Sequence, residues 1–329
     1  MEKNNQSPRI SVIIPTWNRR DLALRCLGSL AEQSFRDFET IVVDDGSTDD
    51  TVAAVGRDYP EATVVEMGEN RRFAAAVNAG IASARGEWIF LLNNDVTLEK
   101  ECLERLLAGA AGAEADMVAP LILWQDEPER IYSAGDRVGI HGRPEAIGFR
   151  ALRADFQIPH TIFGVSAAAG LYRRAIFMTV GLLDPSFVAY FEDADLCFRA
   201  RLAGFDAALV PEAVAYHIGS ASIEGQTWWR SAQCFRNHGL LLIKNMPATL
   251  IRRHFFAIVR ERLHQLACAF SSSRCAFGAL KAVAVTFWAL GGFLARVPGA
   301  FVARRRIQRN RVLSAEAVEA LLWRGGDDE

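Results

Sequence analysis

The stretch Trp88-Ile89-Phe90-Leu91-Leu92-Asn93-Asn94-Asp95 decides how this chain is read. Five apolar residues end abruptly in two amides and a carboxylate. A buried strand finishes this way when its C-terminal edge faces something polar, and in open α/β sheets ligands bind at that edge. A short carboxylate and amide cluster there suits a hard divalent cation and the phosphates it carries. A polar turn in which Asn94 or Asp95 caps the next helix accounts for the same residues.

The flanking sequence repeats the pattern. Ile10 to Ile14 is an apolar run stopped by Pro15, as in a buried parallel strand. Arg20 to Gln33 places Leu22, Cys26, Leu27 and Leu30 at helical spacing. Strands are predicted at Phe38 to Val43, Ala62 to Glu66, Trp88 to Leu92 and Met117 to Leu123, and helices at Arg72 to Ala84 and Glu99 to Ala111. Strands alternating with helices predict an α/β fold with a doubly wound, mostly parallel sheet. The rhythm breaks at Trp124 to His160, which is rich in Gly, Pro and charge and reads as loops and short strands over one end of the sheet. Beyond it, helices are expected at Arg173 to Val180, Glu192 to Ala203 and Thr227 to Asn245, and short strands at Ala207 to Val210 and Ala213 to Tyr216.

With 329 residues, 50% of them hydrophobic, the chain can bury a large core. A formal net charge of -2 gives it no nucleic-acid signature. The charge is uneven, however. Between Asn245 and Val312 there are twelve Lys and Arg against one acid, Glu261, so a C-terminal surface that meets anions is expected. The six cysteines form no C-x-x-C pair, which fits a reducing compartment. Met1 to Pro8 lacks an apolar segment and reads as a loose tail without a signal peptide. The predicted division is therefore a tail over 1–8, an α/β domain over 9–246, and a basic amphipathic helical region over 247–329.

Four further groups could carry chemistry. Asp44-Asp45-Gly46-Ser47 follows the second strand, where a carboxylate can accept from a base or from ribose hydroxyls; a turn with a helix cap reads equally well. Asn78 alone is a local hydrogen-bonding group. Glu192-Asp193-Ala194-Asp195 opens a helix, where the dipole favours acids. The apolar Phe187 to Phe191 before it would set those acids on a pocket wall, where a carboxylate can act as general base. His217 alone reads as structural; beside a site with one carboxylate, Asp95, it becomes a candidate ligand for an ion such as Mn²⁺.

In this order the motifs resemble the family 2 glycosyltransferases, whose nucleotide-sugar-binding α/β fold is called GT-A. The matching segments are Val12 to Asn18 with Thr16, Val43 to Asp49, Asn93-Asn94-Asp95, Glu192 to Leu196, His217 and Phe235-Arg236-Asn237, covering roughly Ile10 to Met246. The sequence looks closest to the bacterial rhamnosyltransferase-like branch, which builds surface polysaccharides. The resemblance implies that Asp44 and Asp45 contact the uracil or thymine and ribose of a UDP- or TDP-sugar, with Thr16, Asn78 and Glu192 among the substrate-binding residues. It implies that Asn94 and Asp95 form the metal and diphosphate motif, that His217 completes a Mn²⁺ or Mg²⁺ site, and that Asp193 is the catalytic base. Arg236 would neutralise the leaving diphosphate, and Ala168-Ala169-Gly170 stands where the family has an acceptor loop. Asn93-Asn94-Asp95 departs from the Asp-x-Asp pattern by leaving one carboxylate.

The implied reaction is a single inverting displacement by a hydroxyl of a glycan or polyprenyl-linked acceptor, carried out by a cytoplasmic enzyme peripheral at the inner face of the bacterial cell membrane. Ala282 to Ala295, 14 uncharged residues, falls short of the ~20 needed for a span. An interface-lying helix pair is expected instead, with Arg252, Arg253, Arg304, Arg305, Arg306, Arg309 and Arg311 meeting anionic headgroups. Two other functions share parts of this pattern. A non-catalytic nucleotide-sugar-binding or membrane scaffold on the same fold would not need Asp95, Asp193 and His217 together. A nucleotidyltransferase would need a Gly-rich loop after the first strand, and Pro15 to Arg20 has no glycine.

Overall fold

The computed structural model describes residues 7–219 and 227–325 and divides them into two compact units. The expected tail falls largely outside the described residues. The first unit comprises residues up to Asp136, Ala146–Pro185 and Phe205–Gly219. Its elements are β1 (Ile10–Thr16), α1 (Arg20–Ala31), β2 (Phe38–Asp44), α2 (Thr51–Asp58), β3 (Thr63–Glu66), α3 (Phe73–Ser83), β4 (Trp88–Leu92), β5 (Val96–Leu98), α4 (Cys102–Gly112), β6 (Met117–Trp124) and β7 (Ile131–Ser133). After the excursion of β8 (Asp136–Val138) and β9 (Pro144–Ala146), it continues with β10 (Ala169–Arg173), α5 (Arg174–Val180) and β11 (Ala207–His217).

Among the described residues nine strands form one sheet, in the order β3-β2-β1-β4-β10-β6-β11-β5, with β7 on β6. β3, β2, β1 and β4 run parallel, as do β6 and β11. β10, β5 and β7 run antiparallel to their partners, so the sheet is mixed, with a parallel half. The parallel half is as apolar as its sequence demands: all five residues of β4 are buried. The order 3-2-1-4 reverses direction between β1 and β4, which opens a crevice at their C-terminal ends. Gly80 lets α3 lie close on the sheet, since a Cβ there would sit 2.4 Å from the Ile13 side chain.

Three expectations are corrected here. No helix follows Asp95 directly: β5 intervenes and α4 begins at Cys102, so neither Asn94 nor Asp95 is a helix cap. Ala169 and Gly170 belong to β10, a strand inside the sheet. The two short strands around Pro211 are one strand, β11, whose register shifts between Val210 and Val214; a proline is tolerated at such a bulge.

The second unit comprises Arg137–Glu145, Ser186–Gly204 and the described residues from 227 to 325. It holds the β8–β9 pair, α6 (Glu192–Leu202), α7 (Thr227–Asn245), α8 (Ala248–Arg253), α9 (Phe255–Phe277), α10 (Ala279–Arg309) and α11 (Ala315–Ala320). This grouping differs from a linear boundary at 246, because α6 and α7 pack with the C-terminal helices. Ala232 and Phe235 of α7 meet Ala289 of α10 in a small apolar cluster flanked by Leu266 and Val285. The uncharged run at Ala282 to Ala295 lies within a helix of 31 residues, long and apolar enough to cross a membrane, with a mean hydropathy of 1.4 over its apolar window.

Candidate active site

In the first unit the C-terminal edge of the parallel strands carries a continuous line of polar side chains. Thr16 and Asp44 are register partners at the ends of β1 and β2. The Ser47 N–H donates to Asp44 Oδ2 at 3.0 Å, and the Asn18 N–H donates to Ser47 Oγ at 2.7 Å. Thr16 Oγ1 donates to the Asn18 carbonyl at 3.3 Å and accepts from Asn94 Nδ2 at 3.0 Å. The last bond bridges β1 and β4 at the point where strand order reverses. Gly46, at φ 77°, makes the turn after β2 and leaves no room for a side chain, since a Cβ would lie 2.7 Å from the Glu69 backbone.

Asp95 continues the line. His217, at the end of β11, brings Nε2 within 3.1 Å of Asp95 Oδ1. The pair is fixed by backbone: His217 is in register with Val96 on β5, and the Ile218 N–H donates to the Asp95 carbonyl. The Tyr132 ring packs edge-on against the imidazole, with centroids 4.3 Å apart. Both residues are buried, and His217 Nδ1 has no hydrogen-bond partner among the described residues. One carboxylate oxygen beside one imidazole nitrogen is a donor set that would suit a borderline cation such as Mn²⁺. Among the described residues no group of three or more His, Cys, Asp or Glu is placed to hold a metal ion.

The other expected residues separate. Asp44 is buried, and its Oδ1 has no partner among the described residues, leaving an acceptor at the sheet edge. Asp45 instead engages both oxygens with backbone, accepting from the Arg71 and Arg72 N–H groups at 2.7 and 2.9 Å. Burial pushes its carboxyl up despite those bonds. It therefore holds the loop before α3. Asn78, expected among the substrate-binding residues, engages its amide with backbone: it donates to the Leu183 carbonyl at 2.9 Å and accepts from the Leu183 N–H at 3.0 Å.

In the second unit α6 begins with the acidic run. Asp193 lies in the first turn, with Oδ1 accepting from the Ala194 N–H at 2.8 Å. Glu192 is buried, and its Oε2 has no partner among the described residues. Burial, reinforced by the neighbouring Asp193, pushes its carboxyl up to about 8. Asp195 is fully buried and accepts from Lys244 Nζ and Asn245 Nδ2 at 2.8 Å and from Arg199 Nε at 2.9 Å. Burial alone would raise its pKa; Lys244 and Arg199 outweigh that and hold it low. This ties α6 to α7, a role sequence spacing did not suggest. Arg236, expected at the leaving diphosphate, is 3% exposed and donates from Nη2 to the Phe187 carbonyl and from Nε to Asn237 Oδ1. Burial, with Arg296 nearby, lowers its pKa to about 10. Its contacts are those of a structural cation.

The family model of glycosyl transferase family 2 matches residues 11–181, just over half of the chain. The chain belongs to glycosyl transferase family 2. Among relatives of this family 2 glycosyltransferase, Uncharacterized protein y4gI of Sinorhizobium fredii is 31% identical over 229 residues, covering 66% of this chain and 25% of that protein. The chain thus spans about a quarter of that relative's length. The N-acetylglucosaminyl-diphospho-decaprenol L-rhamnosyltransferase of Mycobacterium tuberculosis is 27% identical over 234 residues, covering 63% of this chain and 75% of that protein. The family 2 chain is thus similar to the rhamnosyltransferase-like branch. A mannosyltransferase from Pyrobaculum calidifontis, solved with GDP-Man and Mn²⁺, aligns with TM-score 0.57 and 20% identity over 93% of this chain and 86% of that one. That likeness bears on the fold, which is GT-A with added C-terminal helices.

Proposed function

We propose that the protein is an inverting glycosyltransferase that moves a sugar from a TDP- or UDP-sugar to a hydroxyl of a glycan or polyprenyl-linked acceptor in bacterial surface polysaccharide synthesis. Rhamnose is the first candidate sugar, supported by the similarity to a mycobacterial rhamnosyltransferase. The observation that carries the reading is the buried Asp95–His217 pair at the edge of β4, in line with Asn94, Thr16 and Asp44. In this reading Asp44 Oδ1 accepts from the base or ribose of the donor, and Asn94 and Thr16 meet its diphosphate. Asp95 and His217 hold a Mn²⁺ or Mg²⁺ ion, which when bound neutralises charge on the departing nucleoside diphosphate. Asp193 takes the proton of the acceptor hydroxyl as the new bond to the anomeric carbon forms and the bond to the diphosphate breaks. Burial and the adjacent Asp193 disfavour a second charge on the neighbouring Glu192.

We place the enzyme at the cytoplasmic face of the bacterial membrane, peripheral, with α9 and α10 against anionic lipid. Exposed apolar residues on these helices, such as Phe256, Leu263, Leu280 and Phe287, support that placement. So do Arg305, Arg306 and Arg309, which line an open cavity of about 440 Å³ with Val302 and Asn310.

The test is nucleotide release from a panel of TDP-, UDP- and GDP-sugars with Mn²⁺ or Mg²⁺ and a polyprenyl-diphosphate sugar. Turnover of one donor is expected, with Asp193→Asn abolishing transfer while retaining the donor-induced rise in melting temperature. Donor binding without turnover in the wild type would favour a nucleotide-sugar-binding scaffold, and near-wild-type turnover by Asp193→Asn would remove that residue as the base.

A further inference from the structure

The segment that delivers Asp193 is held in a conformation its residues disfavour. Val188, Tyr190 and Phe191 have φ of 68°, 66° and 73°, in the left-handed region. A β-branched residue there is a true outlier, and non-glycine residues persist there only where the surroundings over-determine them. Phe191, the last of the three, is the N-cap of α6, so the backbone at 187–191 sets how the first turn of that helix, with Asp193, is presented.

The over-determination comes from one amide. Asn237 Nδ2 lies 2.9, 2.8 and 2.7 Å from the carbonyl oxygens of Phe187, Ala189 and Tyr190. Arg236 Nη2 donates to the same Phe187 carbonyl. Arg236 Nε donates to Asn237 Oδ1 at 3.0 Å, which fixes the amide's orientation. A flipped amide would turn its oxygen to three carbonyls and its NH2 to a guanidinium, four contacts of the wrong sign. Asn237 is 0% exposed, so it reaches these carbonyls and no substrate. On the same face of α7 two turns further on, Lys244 places Nζ 4.7 Å from the Phe187 ring centroid.

We infer that Asn237, oriented by Arg236, is a positioning residue: it clamps the left-handed 187–191 backbone and thereby aims the catalytic base. This rests on the reading of Asp193 as that base. It also replaces the diphosphate role of Arg236 with a supporting one in the clamp.

The experiment compares Asn237→Ala and the near-isosteric Asn237→Asp with wild type by amide hydrogen exchange over 187–195. It also compares turnover of the donor that wild type uses and donor binding by melting shift with UDP and TDP. Asn237→Ala is expected to raise exchange selectively in 187–195 and to lower kcat about 100-fold. Donor KM and the nucleotide melting shift should stay within about 3-fold. Asn237→Asp, which turns an oxygen to the three carbonyls, should do the same if the alanine variant fails to fold. Val188→Gly with Tyr190→Gly in the Asn237→Ala background should recover about 10-fold in kcat, because glycine adopts positive φ without the clamp. Unchanged exchange over 187–195 in the folded variant would overturn the inference, as would raised exchange with unchanged kcat. If wild type turns over no donor, the functional reading fails, and the exchange result alone decides whether the clamp exists.

Discussion

A carboxylate and an imidazole 3.1 Å apart can share a proton or share a cation. At the Asp95–His217 pair the two cases part on metal titration. His217→Ala should raise the Mn²⁺ concentration needed for the donor-induced melting shift by about 10-fold or more. An unchanged metal titration would leave His217 as a hydrogen-bond partner only. Glu192 gives a second prediction. Its folded-state pKa, about 8, is above the unfolded value of about 4.3. Between those pH values the folded chain binds more protons than the unfolded one, so stability falls as pH rises. The contribution is fully present below about pH 4.3 and lost by about pH 8. Glu192→Gln should flatten that decline, and a parallel fall in melting temperature for variant and wild type would show that Glu192 does not titrate there. Asp95, His217 and Glu192 were each legible in the sequence as candidate residues. The turning of Asp45 to the Arg71 and Arg72 backbone was not, since a carboxylate that holds a loop has the same letter as one that holds a ligand.

At the scale of elements, the α6–α7 contact depends on a buried charge. Asp195 meets Lys244, Arg199 and Asn245, all of them buried. Lys244→Met removes one cation and leaves the carboxylate under-compensated, so a loss of about 3–5 kcal/mol in unfolding free energy is expected by denaturant titration. Loss within 1 kcal/mol would mean that Arg199 alone suffices. The parallel half of the sheet was readable because a strand buried on both faces must be a continuous apolar run, as in Ile10 to Ile14 and Trp88 to Leu92. β10 was not. Ala169-Gly170-Leu171-Tyr172-Arg173 is short and small at its start, and its antiparallel seat between β4 and β6 is set by long-range pairing that leaves no local period. The left-handed residues before α6 were invisible for a related reason. Val188, Tyr190 and Phe191 carry no turn signal, and their conformation is imposed by Asn237 from about fifty residues away.

For the whole molecule, two compact units cut across the chain order. A boundary drawn from composition at Pro247 follows the onset of basic charge, whereas α7, rich in polar residues, packs on α9 and α10 by Phe235 and Ala232. Charge in the C-terminal region is also less free than its count implies. Arg304 donates to the Ile243 and Met246 carbonyls, and Arg253 pairs with Glu319. Membrane binding should accordingly rest on Arg305, Arg306 and Arg309 with the apolar face. Leu280→Glu with Phe287→Glu, at sites 90% and 69% exposed, should reduce sedimentation with phosphatidylserine vesicles at least about 10-fold at unchanged melting temperature. Undiminished sedimentation would rule out this face.

The seat of β10 also has a consequence for biogenesis. β4 can pair with β1 as soon as both have been made, but its other edge is completed only when Arg173 has emerged, ~80 residues later. At roughly 5–20 residues per second on a ribosome, that is about 4–16 s. During that interval Trp88 to Leu92 offers an unpaired apolar margin to any neighbouring nascent chain. Newly made protein is therefore most vulnerable to self-association at the strand whose far end becomes the candidate site, and slowed synthesis between β4 and β10 should lower soluble yield more than slowing after β11.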